Sequence, residues 1–353
     1  MAKLDPTPPI AAGTYRGGGG RGLHPLWSDE AATWRIGDAY AAAPNASFSV
    51  YSARHGLHYI VDEDAVGRVG VHRHLAGGWE MLASVETGGG APCHVALNPA
   101  ETLLAVANYA GGSVSVIRLD PGTGLPDGAV QTHANRGSGP NAERQEGPHA
   151  HWVGFSPDGR WLYQTDLGTD EVLAFPFDAT GTLELPFVAY AAPPGSGPRH
   201  LVLHPHIAKR AYLVSEMAST LTTLDRARDG TFTGPVIRST LPDAWRGHSI
   251  VAHVAINAAG TRLYVSNRGH DSIAVFALDA EGVPTLLEHA ATGGEYPRFF
   301  LLLEDRGMIV VAHEKSQTVT TLAIDAEGRL APTGVALGVP GVGYVLEVAP
   351  GGG

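Results

Sequence analysis

The stretch Gly147–Asp178, GPHAHWVGFSPDGRWLYQTDLGTDEVLAFPFD, decides the fold. An apolar run through Trp152, Val153 and Phe155 reaches the turn Ser156-Pro157-Asp158-Gly159, and a second run through Trp161, Leu162 and Tyr163 ends at Asp166-Leu167-Gly168. A third run follows at Val172, Leu173 and Phe175, so the stretch reads strand, turn, strand, loop, strand.

The same unit recurs in five other places. Val50, Val95, Val153, Leu201, Val254 and Phe300 share one column, and Val61, Val106, Gln164, Leu213, Val265 and Val311 share another eleven or twelve residues later. Eight residues further on stand Val69, Val114, Val172, Leu221, Ile273 and Val319. The column Glu63, Asn108, Asp166, Ser215, Asn267, His313 advances by a mean of 50 residues, and a 353-residue chain holds about seven such units. Strand repeats of roughly 40–50 residues mark a β-propeller, whose four-stranded blades each cover a neighbour's apolar face. The expected fold is therefore all-β, a seven-bladed propeller forming one domain over residues 10–350, with a loose polar arm at 1–9.

Composition narrows the partners. A net charge of −11 argues against nucleic acid, whose binders need basic stripes to displace counterions. Lysine occurs only at Lys3, Lys209 and Lys315, so nearly all positive charge is arginine, whose planar fork suits carboxylate and phosphate. A lone cysteine, Cys93, excludes a disulfide framework and suits a reducing compartment. The start MAKLDPTPPI has no apolar h-region and no run of eighteen apolar residues occurs, which predicts a soluble, cytoplasmic protein without membrane contact.

Along the chain, Ile10–Tyr15 reads as a strand, Gly17–Gly20 as a flexible loop, and Leu23–Trp34 as a degraded first blade. Later blades start near Phe48, Cys93, His151, Arg199, Ala252 and Arg298. Thr132–Gly147 lacks apolar periodicity and reads as a long loop of the kind that covers sites; Pro193–Pro198 and Pro242–Ser249 hold the equivalent place later. Val342–Val348 is one more strand, expected to complete the first blade and close the ring.

Antiparallel pairing sets the residues before each first strand beside those ending the second, at one mouth of the propeller. The columns there bring His151, Arg199, Glu216, Arg268 and Arg298 onto one funnel. Arginines would hold an anion and stabilise an oxyanion, while His151 or Glu216 would move protons. A structural ion network plugging the channel would use the same residues, and five of them at one end favour a site. His149 reads as a ligand-facing or simply exposed loop residue. His94, His200 and His253 share the next strand position and are expected to satisfy backbone carbonyls between blades. No nucleophile elbow, phosphate loop, dinucleotide fingerprint or zinc-protease motif occurs. Asn108, Asp166, Glu216 and Asn267 offer oxygen ligands for a hard cation, but the nearby arginines oppose one, so no metal and no cofactor are expected.

The run PHAHWVGFSPDGRWLY at 148–163 followed by DLGTD, together with GPRHLVLHP at 197–205, SEMAST at 215–220, LYVSNRGHDSIAVF at 263–276 and YPRFF at 296–300, resembles the lactonase family of seven-bladed β-propellers. That family includes propeller-type 6-phosphogluconolactonases and carboxy-cis,cis-muconate cyclases. The resemblance covers about residues 46–325, with a weaker GTY at 13–15. It implies a catalytic set on His151, Arg199, Glu216 and Arg268. The substrate-binding set expected around it is Arg298, His149, Asp166, Asn267, His200 and His313. Two departures bear on substrate identity: Ala312-His313-Glu314 replaces an Asn-Gln-like pair, and glycines 17–20 replace a more ordinary first blade. The expected reaction is hydrolysis of an anionic sugar-type lactone such as 6-phosphogluconolactone. The alternatives are a muconate-type cyclase acting on a polycarboxylate, and a non-catalytic interaction scaffold, which would show a neutral channel mouth.

Overall fold

A computed structural model describes residues 10–28, 33–76, 78–178 and 181–349. Its strands form seven four-stranded antiparallel sheets, and two single-turn 3-10 segments, Arg16–Gly18 and Glu304–Arg306, are the only helical elements among the described residues. The loose arm expected over 1–9 lies outside the described residues.

Turn chemistry repeats from blade to blade. Asn98 Oδ1 accepts from the amides of Thr102 and Leu103, and Asn257 Oδ1 accepts from those of Thr261 and Arg262, so an Asx turn folds the first strand onto the second in both blades. Between second and third strands the fourth to seventh blades turn through a left-handed residue. Asp170, Ser219, Asp271 and Gln317 fill that place with φ of 59°, 50°, 56° and 53°. Aspartate tolerates this conformation, and both aspartates also work as anchors. Asp170 accepts from the amides of Gly195 and Gly197, and Asp271 from that of Tyr296, which ties each turn to the loop entering the next blade.

The core lies between the blades as a series of apolar clusters, each drawn from two adjacent sheets. Buried tyrosines of the second strands add an inter-blade hydrogen bond: Tyr59, Tyr212 and Tyr264 donate to the carbonyls of Gly124, Gly282 and Gly328 in the following blade. Such a partner offsets the cost of taking a tyrosine hydroxyl out of water.

Ring closure follows the expected route. Val342–Glu347 pairs antiparallel with Ile10–Thr14 and becomes the inner strand of the first blade. That blade is not degraded: Leu23–Ser28 and Trp34–Ile36 complete its four strands. Nor is Gly17–Gly20 a free loop. It is a tight turn on the Tyr15 carbonyl, with Gly18 packed so close to Gly341 that a Cβ would lie 2.6 Å from its Cα. Two loop boundaries also shift. Gln131–Ala134 pairs with Ser113–Val116 as an outer strand, so the long loop starts at Asn135, and Pro198 already belongs to an inner strand.

Candidate active site

The inner strands place the functional side chains by a device that sequence spacing does not show. Pro92–Leu97, Ala150–Phe155, Pro198–Leu203 and Pro297–Leu303 each carry a β-bulge, and the residue left out of the ladder is Cys93, His151, Arg199 or Arg298. The candidates thus lie inside their strands, not ahead of them. An unpaired bulge residue is re-aimed away from the pleat, and these four aim into the channel mouth, where they line a cavity of about 180 Å³ with Glu63, Tyr109, Arg144, Glu216 and Arg268. In the sixth blade the small Ala252 stands in the bulge, and its carbonyl takes Arg199 Nε–H at 2.7 Å.

Glu216 is the centre of the site. Its Oε2 meets Arg199 Nη1 at 2.9 Å and Arg268 Nη2 at 2.7 Å, while Oε1 meets Arg144 Nη2 at 2.7 Å. Burial alone would raise its carboxyl, but Arg268 and Arg199 hold it well below the usual range, with His151 and Arg144 adding to the effect. Burial lowers Arg199 to about 9, and Arg268 and Arg298 push in the same direction against the pull of Glu216. Burial and then the Arg199 charge hold His151 well below the ordinary imidazole range, so it is neutral at pH 7. Arg199 Nη1 also donates to His151 Nε2. That contact makes Nε2 the lone-pair nitrogen and leaves the ring proton on Nδ1, which faces Cys93 Sγ at 3.9 Å. Cys93 is a thiol rather than a thiolate, since burial raises it far above its ordinary value.

Four arginines against two glutamates leave this cavity with two positive charges in a chain of net charge −11. Arg268 Nε is buried without a hydrogen-bond acceptor among the described residues. An orphaned guanidinium N–H beside a cationic cavity is suited to an anionic ligand. Among the described residues no group of three or more His, Cys, Asp or Glu is arranged to hold a metal ion.

The wider expected set divides. Arg298 reaches the cavity edge, pairing with Glu63 at 3.8 Å and Glu314 at 3.7 Å above the Tyr15 ring. His149 stacks on Tyr109 at 4.5 Å between ring centres and flanks the site. Asp166 does not line it. Its Oδ1 accepts from the amides of His149, Gly168 and Thr169, and its Oδ2 from Asn135, which spends the carboxylate on fixing the loop. Asn267 bonds Thr240, and His313 bonds the Thr318 carbonyl; both are buried within their blades. Their columns end the second strands, where alternation turns these side chains toward the blade interior.

His200 lies in the layer beneath the site, its ring 5.3 Å from that of His151. The expectation that His94, His200 and His253 bind inter-blade carbonyls is not met. His200 and His253 bond each other through Nδ1 at 3.3 Å, and His94 Nδ1 accepts from the Val153 amide at 3.5 Å. The bulge turns these neighbours toward the channel axis, where they meet one another.

Arg144 escaped the sequence reading because it sits in a loop without periodicity. Asn135 pins the loop to Asp166 and Gln164, and Gln145, fully buried, donates to the Leu167 carbonyl, which together swing Arg144 over Glu216. An arginine close ahead of the PHAH run was the available signal.

The model of the family described as lactonase, 7-bladed β-propeller, matches residues 9–347. A 6-phosphogluconolactonase of Bacillus subtilis is 30% identical over 331 residues, covering 90% of this chain and 92% of the relative. A solved structure from Lactobacillus plantarum superposes with a TM-score of 0.86 at 30% identity, covering 96% of this chain and 98% of that one. A periplasmic gluconolactonase of Pseudomonas aeruginosa gives a TM-score of 0.87 at 26% identity, over 97% and 99% of the two chains. No helix among the described residues is long and apolar enough to cross a membrane.

Proposed function

Because this chain belongs to the lactonase family of seven-bladed β-propellers, we propose that it hydrolyses an anionic sugar-type lactone, with 6-phosphogluconolactone as the type substrate. The observation that carries this reading is the buried cavity in which three guanidinium groups converge on one carboxylate beside a neutral imidazole. The name of the Bacillus subtilis relative supports the substrate class.

In this reading Arg199, Arg268 and Arg298 hold the anion and face the lactone carbonyl, whose oxygen gains charge as water attacks. Glu216 keeps the guanidinium groups in place; held by three of them, its carboxyl lies well below the usual range and is a weak base. His151 is left as the base. An arriving anion competes for Arg199, frees His151 Nε2 and raises its pKa by adding negative charge. Water adds to the carbonyl carbon as its proton passes to Nε2, the bond from carbonyl carbon to ring oxygen breaks, and the same proton goes to the departing alkoxide. The product is a hydroxy acid that ionises and releases one proton.

The test is proton release from a panel of lactones. The reading expects 6-phosphogluconolactone to be hydrolysed well above its spontaneous rate and better than neutral glucono-1,5-lactone, with Arg199→Ala and Arg268→Ala raising KM and lowering kcat. Absence of acceleration on every lactone overturns it.

A further inference from the structure

We infer that the site continues into a second compartment that takes a neutral, hydroxyl-bearing ring, so that the substrate extends beyond a single lactone ring. The inference rests on the lactonase reading for its first compartment only.

The observation is a cavity of about 290 Å³ lined by Tyr15, Gly17, Gly18, Glu314, Gln317 and Val342 among others, which shares Glu63 and Arg298 with the cationic cavity. Gly17 and Gly18 of the N-terminal turn and Glu314 of the seventh blade meet in its wall. They are distant in sequence and come together because the C-terminal strand seats the N-terminal strand beside the seventh blade. The glycines are needed there. Gly341, at φ 72°, passes under the turn where a Cβ would lie 2.4 Å from the Tyr15 carbonyl oxygen. A Cβ on Gly17, by contrast, meets nothing within 4 Å, so the absence of a side chain there keeps space open instead of relieving a clash.

Arg298 and Glu63 form the partition between the compartments. Arg298 reaches Glu63 and Glu314 at 3.8 and 3.7 Å, whereas the guanidinium contacts on Glu216 span 2.7–2.9 Å. At those distances neither contact is a hydrogen bond, so Arg298 keeps N–H donors for a ligand in either compartment.

The chemistry of the two compartments differs. One arginine against two glutamates leaves the second with a negative charge, opposite to the first. That repels a second anion. Glu63 accepts from the Tyr15 hydroxyl through Oε2 at 2.7 Å, and its other oxygen, the Glu314 carboxylate and the Gln317 amide are hydroxyl-binding groups set against the apolar Val342 and tyrosine ring. Carboxylate, amide and aromatic ring together suit a sugar ring.

The test is calorimetric binding of product acids to the full chain, with gluconate compared against 4-O-glucosyl gluconate and 6-phosphogluconate as a third arm. The disaccharide acid is expected to bind about tenfold more tightly than gluconate, a difference of about 1.4 kcal/mol. Gly17→Phe, which fills the open space, should bring that ratio near one. Gln317→Ala, which removes the amide without adding bulk, should reduce it and serves if Gly17→Phe does not fold. Equal affinities in the wild type, no binding of either acid, or a ratio untouched by both variants overturns the inference. Hydrolysis of 6-phosphogluconolactone, measured on the same sample, reports separately on the lactonase reading.

Discussion

Two layers of the channel are built from adjacent residues of the same strands and have opposite character. His151, Arg199 and Arg298 form the upper layer with Glu216, Arg268 and Arg144. One residue further along, His200 and Phe299 join Phe48, His94, His253 and Tyr344 in a lower layer of packed rings, with Phe48 4.0 Å from His94 and His253 4.2 Å from Phe299 between ring centres. A bulge separates the two faces: the residue outside the ladder turns toward the mouth, and the next turns into the ring layer. Arginines are common on protein surfaces and do little there, but above a floor of neutral rings they act in a poorly screened space where their charge on a substrate counts for more. The lower layer supplies that floor, and burial keeps its imidazoles uncharged, His253 being lowered to about 3.

The largest expected effect comes from removing an upper-layer cation. Arg199→Ala should lower kcat/KM for the anionic lactone by roughly 10²–10³, the scale for losing an oxyanion donor. Steady-state kinetics check this, and a loss carried by a raised KM with kcat unchanged would show that Arg199 binds the ground state and the transition state equally.

Glu216→Gln breaks the same layer in another way. It leaves buried guanidinium charges uncompensated and should cost about 3–5 kcal/mol of stability, read from denaturant unfolding. A stability equal to wild type would mean that water already screens the cluster.

Acid should loosen the protein through its buried imidazoles. His94, His151 and His200 are held well below the ordinary range by burial first, and His58, His72 and His313 are lowered to about 4. Because the folded values lie below the unfolded one, the unfolded chain binds protons first as pH drops. Stability is therefore complete above about pH 6.5 and declines as pH falls toward 4. Melting curves between pH 8 and pH 4 check the sign, and His253→Phe, which keeps a ring without a titrating nitrogen, should flatten part of the slope.

Arg144→Ala is the mildest case. The side chain is 39% exposed, so its loss should raise KM by about fivefold at most, the scale of an exposed ion pair. A loss as large as that of Arg199→Ala would move Arg144 from the rim to the centre of the site.

Much of this was legible because repetition exposes it. Three apolar columns at constant spacing, together with the unpartnered Val342–Val348, predict blade number and closure, and the four-stranded sheets follow them. The convergence of His151, Arg199, Glu216 and Arg268 was equally visible, since strand ends meet by antiparallel geometry. Columns do not report which way a side chain points. Asp166, Asn267 and His313 share a column near the mouth and face away from the cavity, whereas the bulges that aim His151 and Arg199 inward leave no mark in the spacing. Arg144 was hidden for a different reason. It is placed by loop hydrogen bonds from Asn135 and Gln145, and such contacts have no period.

The central claim is that the upper layer is a hydrolytic centre and not an ion plug. It is tested most directly by the rate of proton release from 6-phosphogluconolactone with wild type and His151→Ala, on samples whose melting curves show the same folded fraction. The account predicts a rate reduced by roughly 10²–10⁴ with folding retained. A variant that hydrolyses the lactone as fast as wild type would contradict it.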